Sequence, residues 1–428
     1  MAEVLVIGAG MVGVSTALAL QAQGHAVTLA DRRAPGKETS YGNAGVIQVE
    51  AAEPYPMPRA QLDLLRHALG RTNDVTWSLP GLASMAPALW QYWRASAPNH
   101  HARVGAIYAR LTSRATDDHA PLIAASGSEN LAARQGLALV FRDPAKFEQE
   151  CGYAAHLASQ YGVRYRAYSG TEWRREEPAL QIDPIGAIHF TDSWSVSDPG
   201  ALTSAYAALF EQRGGHVIEA DADTLTQTAN GWRITGSAGE NIAEIAVLCL
   251  GPWTGLALRR FGLRVRMVLK RGYHAHYDAK NQLRRPFLDT DNGVVLSSMR
   301  AGLRMTSGAA LLAPDAPPTP GQLVRGERGV GDLIALGPRI AGSDWYGTRP
   351  CLPGMLPMVG SVPGKAGLWV NFGHGHQGFT LGPTTAILLV ETMDGASGAL
   401  QTALAPATRL QPRLMGFTRK TEANRPTV

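Results

Sequence analysis

Three glycines and one aspartate carry the most specific chemical signal in the chain. Gly8, Gly10 and Gly13 form G-x-G-x-x-G between an apolar run, Glu3 to Ile7, and a run of small and apolar residues, Met11 to Gln23. In a strand–turn–helix setting the first glycine permits the tight turn and the second lets main chain approach a pyrophosphate. The third lets the helix pack against the strand, so that its positive end faces the phosphates. A second apolar run, His25 to Ala30, ends at Asp31, the spacing expected of a carboxylate that accepts hydrogen bonds from a ribose diol. These residues describe a dinucleotide-binding βαβ unit.

Arg32-Arg33 after Asp31 keeps a nicotinamide dinucleotide phosphate in play. The loop Thr39-Ser40-Tyr41-Gly42-Asn43-Ala44-Gly45 argues for a longer cofactor. Its main chain and short side chains at Thr39, Ser40, Asn43, Ala44 and Gly45 can lie along a flavin. The run of further βαβ units that a nicotinamide enzyme would need is missing. FAD is therefore the expected cofactor.

The elements that must hold these residues are spread along the whole chain. At 428 residues the chain is too long for one compact core, so two or three domains are expected. Composition is 45% apolar and 18% charged, ordinary for a globular enzyme. The net charge of +5 is scattered rather than blocked, which argues against nucleic-acid binding. Cys151, Cys249 and Cys351 are odd in number and far apart, so they suggest no disulfide framework and no metal site. The apolar start lacks a basic leader region and is interrupted by the glycines, so it reads as buried strand, turn and helix.

Helices are expected over 104–125, 144–160, 199–213 and 379–393, and strands over 137–141, 186–191, 216–220, 245–250 and 367–372. Asn230-Gly231 marks a hairpin turn. The stretch 54–98 shows no clean alternation, and 265–311 is strand-rich. Material of this kind between pieces of a nucleotide-binding fold suggests a second domain woven into the first.

Taken in order, several short strings make the chain similar to the D-amino-acid dehydrogenase branch of the FAD-dependent amino-acid and amine oxidoreductases. They are the glycine loop with Asp31, Thr39-Ser40 leading to Asn43-Ala44-Gly45, Glu177-Pro178-Ala179-Leu180, Asp198-Pro199 and Gly251-Pro252-Trp253. Arg271-Gly272-Tyr273, Leu303-Arg304, Arg349-Pro350 with Pro357, and Gly373-His374-Gly375 complete the set. The resemblance implies an α/β fold, with a discontinuous Rossmann-like FAD domain and an interleaved α+β substrate domain on a mixed sheet. The expected division is 1–80, 196–260 and 340–428 for the first, 81–195 and 261–339 for the second, with the helix over 144–160 assignable to the FAD domain. Two departures stand out: Ala309, Ala310 and Leu311 occupy a segment where members often carry an acid, and the stretch 46–58 brings its own Glu50, Glu53 and Tyr55.

The implied chemistry is oxidative deamination of a D-amino acid: hydride passes from the α carbon to flavin N5, and the imine hydrolyses to a 2-oxo acid and ammonia. A secondary-amine or imino-acid dehydrogenase for proline-, hydroxyproline- or sarcosine-like compounds is the alternative, as is a flavin-carrying subunit of a heteromeric dehydrogenase. Such chemistry needs position and electrostatics from the protein. Arg349 is the first choice to clamp the carboxylate, because a guanidinium matches it bidentately and stays charged when desolvated. Tyr273 is a second contact through its hydroxyl, with Arg304 and Tyr55 as further pocket candidates. Gly373, Gly375, Gln377 and Gly378 precede a helix, and their main-chain N–H groups can hold charge that develops at flavin N1 and O2. His374 is expected at the active site and His376 as a loop cap. His274 and His276 alternate along a partly exposed strand face. Arg32, Gly251 and Trp253 join the cofactor contacts. No metal is expected. The electron acceptor is a quinone, oxygen or a protein, and the location is cytoplasmic with at most peripheral contact with the inner face of the cell membrane.

Overall fold

A computed structural model describes residues 1–60 and 73–412. The sheet that carries the glycine loop has six strands. From edge to edge they are His216–Glu219, Ala26–Asp31, Glu3–Ile7, Ile245–Leu248, Leu368–Phe372 and Met358–Ser361. The first five run parallel and the last is antiparallel. Both faces of this sheet are covered, which is why its central strands read as unbroken apolar runs. Val4 and Val6 face the helices Met11–Ala22, Pro199–Gln212 and Gly378–Met393. Leu5 and Ile7 face the opposite layer, a three-stranded antiparallel sheet that contributes Trp232 and Ile234. The first helix and the last long helix press together closely: a Cβ at Gly382 would come 2.9 Å from Met11 Cγ.

The second sheet has ten strands and is mixed. Its path runs Val75–Trp77, Ala309–Leu311, Val268–Tyr277, Gly302–Ser307, Val294–Met299, Phe287–Asp289, Leu137–Phe141, Gly186–Phe190 and Tyr165–Ser169. Trp345–Cys351 pairs along the free edge of the long Val268–Tyr277 strand. The two parallel pairings are Ala309–Leu311 with Val75–Trp77 and Phe287–Asp289 with Leu137–Phe141. The strands Val75–Trp77 and Trp345–Cys351 thus belong to this sheet, although the division drawn from sequence put both with the nucleotide-binding part. Backbone pairing, which no linear pattern encodes, assigns them. The helix Pro144–Tyr161 also packs on the mixed sheet, through Ala154 and Leu157 against Ile188 and Phe190. Asp143 caps it by accepting from the Ala145 N–H at 2.9 Å.

The single helix expected over 104–125 is two, Pro98–Thr112 and Ala115–Ala125. At the break the Thr112 hydroxyl turns back onto the Tyr108 carbonyl at 3.3 Å, a local bond that competes with helix continuation. The change of direction lays the second helix across the last long one. There His119 Nε2 sits 3.0 Å from the Phe379 carbonyl oxygen, and the Thr384 hydroxyl donates to Asp118 at 2.6 Å. The stretch 54–98 holds the helix Leu79–Ala95, started by the Ser78 side chain, which accepts from the Gly81 N–H. His274 and His276 are 0% and 2% exposed, not partly exposed as alternation implied, because the 41–43 loop and Trp345 lie over their side of the strand. Among the described residues no helix is long and apolar enough to cross a membrane.

Candidate active site

The glycine loop divides its labour. A Cβ on Gly8 would lie 2.5 Å from the Cys249 carbonyl oxygen, and one on Gly13 would lie 1.7 Å from the Gly8 oxygen. Both are glycine because the protein itself leaves no room. A Cβ on Gly10 would meet only the tip of Ser40, at 3.2 Å. Gly10 borders a cavity, so its missing side chain keeps space for a ligand rather than for the fold. The helix behind it has no acidic residue in its first turn, leaving its positive end for an anion. Asp31 accepts from the Ala9 N–H at 2.6 Å and the Arg33 N–H at 3.1 Å. Burial pushes its carboxyl above the usual range, against the pull of those donors.

Thr39, Ser40, Asn43 and Ala44 line the same cavity. Asn43 folds its loop by accepting from the Gly45 and Val46 N–H groups at 2.8 and 3.2 Å, an Asx turn. The Ser40 hydroxyl accepts from the Met11 N–H at 2.9 Å. Arg32 reaches Glu38 at 3.0 Å and lies 4.7 Å from the Trp253 ring centre. Arg32, Trp253 and Gly251 sit beyond the Asp31 end of the sheet and outside the cavity wall.

The cavity encloses about 1330 Å³ and runs from Gly10 to Arg349. A pocket this long, with a glycine cradle and helix end at one extremity and small loops along its flank, fits FAD. The far loop closes it: Gly373, Gly375 and Gly378 line the wall, and Gly375 N–H donates to the Pro350 carbonyl at 3.0 Å. Cys351 and His374 form an isolated bridge. The loop before the last helix is thereby strapped to the strand that bears Arg349.

Alternation along the Val268–Tyr277 strand decides which of its residues meet the cavity. Val268, Lys270 and Gly272 line it, whereas Arg271 and Tyr273 point to the back. There Arg271 donates to the Ala316 carbonyl at 2.7 Å, and the Tyr273 hydroxyl accepts from the Thr319 N–H at 3.1 Å. Tyr273 is therefore a buried anchor of the proline-rich 314–320 loop and not a pocket hydroxyl. Arg304 is the register partner of His276 and so shares the sheet face of Lys270 and Gly272, but the 41–43 loop covers it and it does not line the cavity. Its guanidinium donates to the Tyr41 and Asn43 carbonyls at 3.0 and 2.6 Å and to His276 Nε2 at 3.0 Å. It shapes the loop expected along the flavin and has no face on the cavity. The role expected from the Leu303-Arg304 string moves from the pocket to the support of that loop.

Arg349 does face the cavity. Its Nη1 donates to the Gly308 carbonyl at 2.8 Å and its Nη2 to the Ser307 carbonyl at 3.2 Å. Gly272 makes room for it, since a Cβ there would lie 2.6 Å from Nη2. Burial lowers its pKa, yet a guanidinium stays charged. Two of five N–H donors are used, leaving the rest for a ligand.

Both histidines of the closing loop line the cavity, His374 as expected and His376 beyond its expected part as a loop cap. His374 Nε2 is committed to the Thr385 hydroxyl at 3.0 Å, and burial drives its pKa down to about 3. His376 lies 5.2 Å from the Tyr55 ring and accepts from Gln377 at 3.1 Å. Burial, with Arg349 and Lys270 adding positive charge nearby, brings its pKa to about 3, so it is neutral at working pH. Gln377 also donates to Gln48 at 2.9 Å, and Gln48 donates to Glu50 at 2.6 Å. Glu50 is shared with the Ser193 hydroxyl, and burial raises its carboxyl pKa. Tyr55, 61% exposed, projects into the cavity, its carbonyl held by the Tyr92 hydroxyl. Sequence reasoning missed Lys270, Tyr92 and Cys351 in this wall. The signal for Lys270 was its parity with Gly272, readable only once the register with Arg349 was known. No group of three or more His, Cys, Asp or Glu side chains among the described residues is placed to hold a metal ion.

Comparison with known proteins agrees with this geometry. A family model described as FAD dependent oxidoreductase matches residues 3–392, and the chain belongs to that family. A protein of Paramagnetospirillum magneticum named D-amino acid dehydrogenase is 30% identical over 423 residues, 93% of this chain and 96% of its own. Glycine oxidase from Geobacillus kaustophilus shares the fold, with a TM-score of 0.68 at 19% identity over 93% of this chain and 96% of that one. L-Proline dehydrogenase from P. horikoshii does so with a TM-score of 0.69 at 15% identity over 93% and 94%. The protein is an FAD-dependent amino-acid dehydrogenase or oxidase. When bound, the flavin supplies the acceptor for the hydride, and the residues of this chain supply position and charge.

Proposed function

We propose that the protein oxidises a D-amino acid at its α carbon, giving an imine that hydrolyses to a 2-oxo acid and ammonia. The observation that carries this reading is Arg349, a guanidinium turned into the cavity with no carboxylate partner among the described residues. It is strapped through Pro350 and Cys351 to the loop Gly373–Gly378. A substrate carboxylate held there has its α carbon beside the part of the cavity where the closing loop meets the last helix. Neutral His376 and the Tyr55 hydroxyl border the same space without adding negative charge that would compete for the guanidinium. The name of the P. magneticum relative supports the D configuration.

Anaerobic titration of the yellow holoenzyme with D-amino acids, L-amino acids, cyclic imino acids and N-alkyl glycines tests the reading. Bleaching of the flavin by primary D-amino acids is expected. Bleaching by cyclic imino acids alone would replace it with a secondary-amine dehydrogenase, and no bleaching by any of them would point to a subunit that works only with partner chains.

A further inference from the structure

The wall opposite the flavin-binding loops carries a second cation that the oxidation of a simple amino acid does not require. Lys270 and Arg349 are register partners on two antiparallel strands, so their Cα atoms are about 5 Å apart and their side chains share a face. Both line the cavity. Neither has a carboxylate within 4.0 Å among the described residues: Lys270 has the Tyr92 hydroxyl at 3.5 Å and the Tyr92 ring centre at 4.8 Å, and Arg349 has two main-chain carbonyls. Other arginines on or beside this sheet do not line the cavity. Arg142 pairs with Asp289, Arg271 is tied to three carbonyls and Arg304 to two. Glu50, Glu53, Asp74 and Glu150 also line the cavity; Glu50 is held by Ser193 and Gln48, and Glu53 by Tyr161 and His156. Two half-buried cations side by side repel each other and lose hydration, a cost that incoming negative charge offsets.

Resting on the amino-acid reading above, we propose that the substrate is an amino dicarboxylic acid, with Arg349 on the α-carboxylate and Lys270 on the side-chain acid. Tyr92 supports the ammonium from the far side, through its hydroxyl and its ring. The selectivity arises from one side chain on one strand, and Arg349 remains common to every amino acid the pocket takes.

The test uses ligands that the flavin cannot oxidise, so that binding is read separately from turnover. Holoenzyme is titrated with glutarate and with butyrate, and the perturbation of the flavin absorbance is followed. Glutarate should bind about 10-fold tighter or more, the scale of one charge-assisted contact in a partly dry site. Lys270→Met should remove that preference and leave butyrate within about 3-fold of the parent, whereas Lys270→Arg should keep it. Equal binding of the two ligands by the parent would overturn the proposal, as would a Lys270→Met variant that weakens both equally. If Lys270→Met does not retain flavin, Lys270→Arg decides: loss of the glutarate preference with the charge retained also counts against the assignment. Flavin reduction by D-glutamate and D-2-aminobutyrate is measured beside it. If neither reduces the flavin while glutarate is preferred, the amino-acid oxidation reading fails and the dianion site stands.

Discussion

The two ends of the cavity are built from different materials. The end expected to take the nucleotide is built from main chain: a glycine loop, a helix N-terminus and a folded-back Asx turn, together spanning no more than residues 8–46. At the proposed substrate end side chains line the wall, Lys270, Arg349 and His376, set on two paired strands and a distant loop. Main-chain sites need small residues in the right order, and their failure mode is steric. Side-chain sites need correct strand parity and register, and their failure mode is a lost charge or a side chain on the wrong face.

The largest expected effect breaks the nucleotide end. Gly10→Val fills the space that Gly10 leaves open, and the purified variant should be colourless apoprotein; a yellow variant with a normal flavin spectrum would contradict the assignment. Next, at the substrate end, Arg349→Ala removes a bidentate, charged contact. KM for the best amino acid should rise about 100-fold or more, the scale of two hydrogen bonds to a charged group, with flavin content unchanged. An unchanged KM would rule out the clamp.

Acid should weaken the substrate end through its neutral histidines. The pKa values of His376 and His374 are lowered to about 3, and those of His276 and His274 to about 4 and about 2, burial being the main cause for each. In the unfolded chain these rings take up protons near pH 6.5, whereas the folded chain refuses them until far lower pH. Stability is therefore full above about pH 6.5 and falls as the pH drops toward the folded values, by up to about 1.4 kcal/mol per pH unit for each ring. The raised carboxyls of Asp31 and Glu50 act in the opposite sense nearer the carboxylate range. A melting temperature that stays flat from pH 7 to pH 5 would show these rings to be better hydrated than their packing implies.

The smallest effect separates the two faces of one strand. Tyr273→Phe gives up the bond to the Thr319 N–H and should cost roughly 1 kcal/mol of stability. Its KM should remain within about 2-fold, since the hydroxyl never meets the cavity. A large rise in KM with normal stability would return Tyr273 to the pocket.

How much of this was legible follows from the same contrast. The βαβ unit, Asp31 and the Asx loop are local in sequence, so spacing and residue type were enough to read them. The closing loop was recognisable from its glycines. Which partners its two pocket-lining histidines take was not, because that depends on the bridge between Cys351 and His374 and on the bond to Thr385. Tyr273 and Arg304 stood in strings that resemble a family's site, yet their side chains support loops, Tyr273 from the back of the sheet and Arg304 from beneath the 41–43 loop. That the strands Val75–Trp77 and Trp345–Cys351 join the ten-stranded sheet was not legible, because strand pairing is long-range.

By itself, then, the chain's order of residues determined a dinucleotide site and its preference for FAD, and it offered Arg349 as the first candidate for a carboxylate. Only the tertiary structure decided that Lys270 joins Arg349 in the wall, that Tyr273 does not, and that His376 lies near enough to both cations for their charge to lower its pKa. The physical reason is the period of a β-strand. Adjacent residues point to opposite faces, so the register between two strands far apart in sequence chooses which half of their side chains meets the substrate.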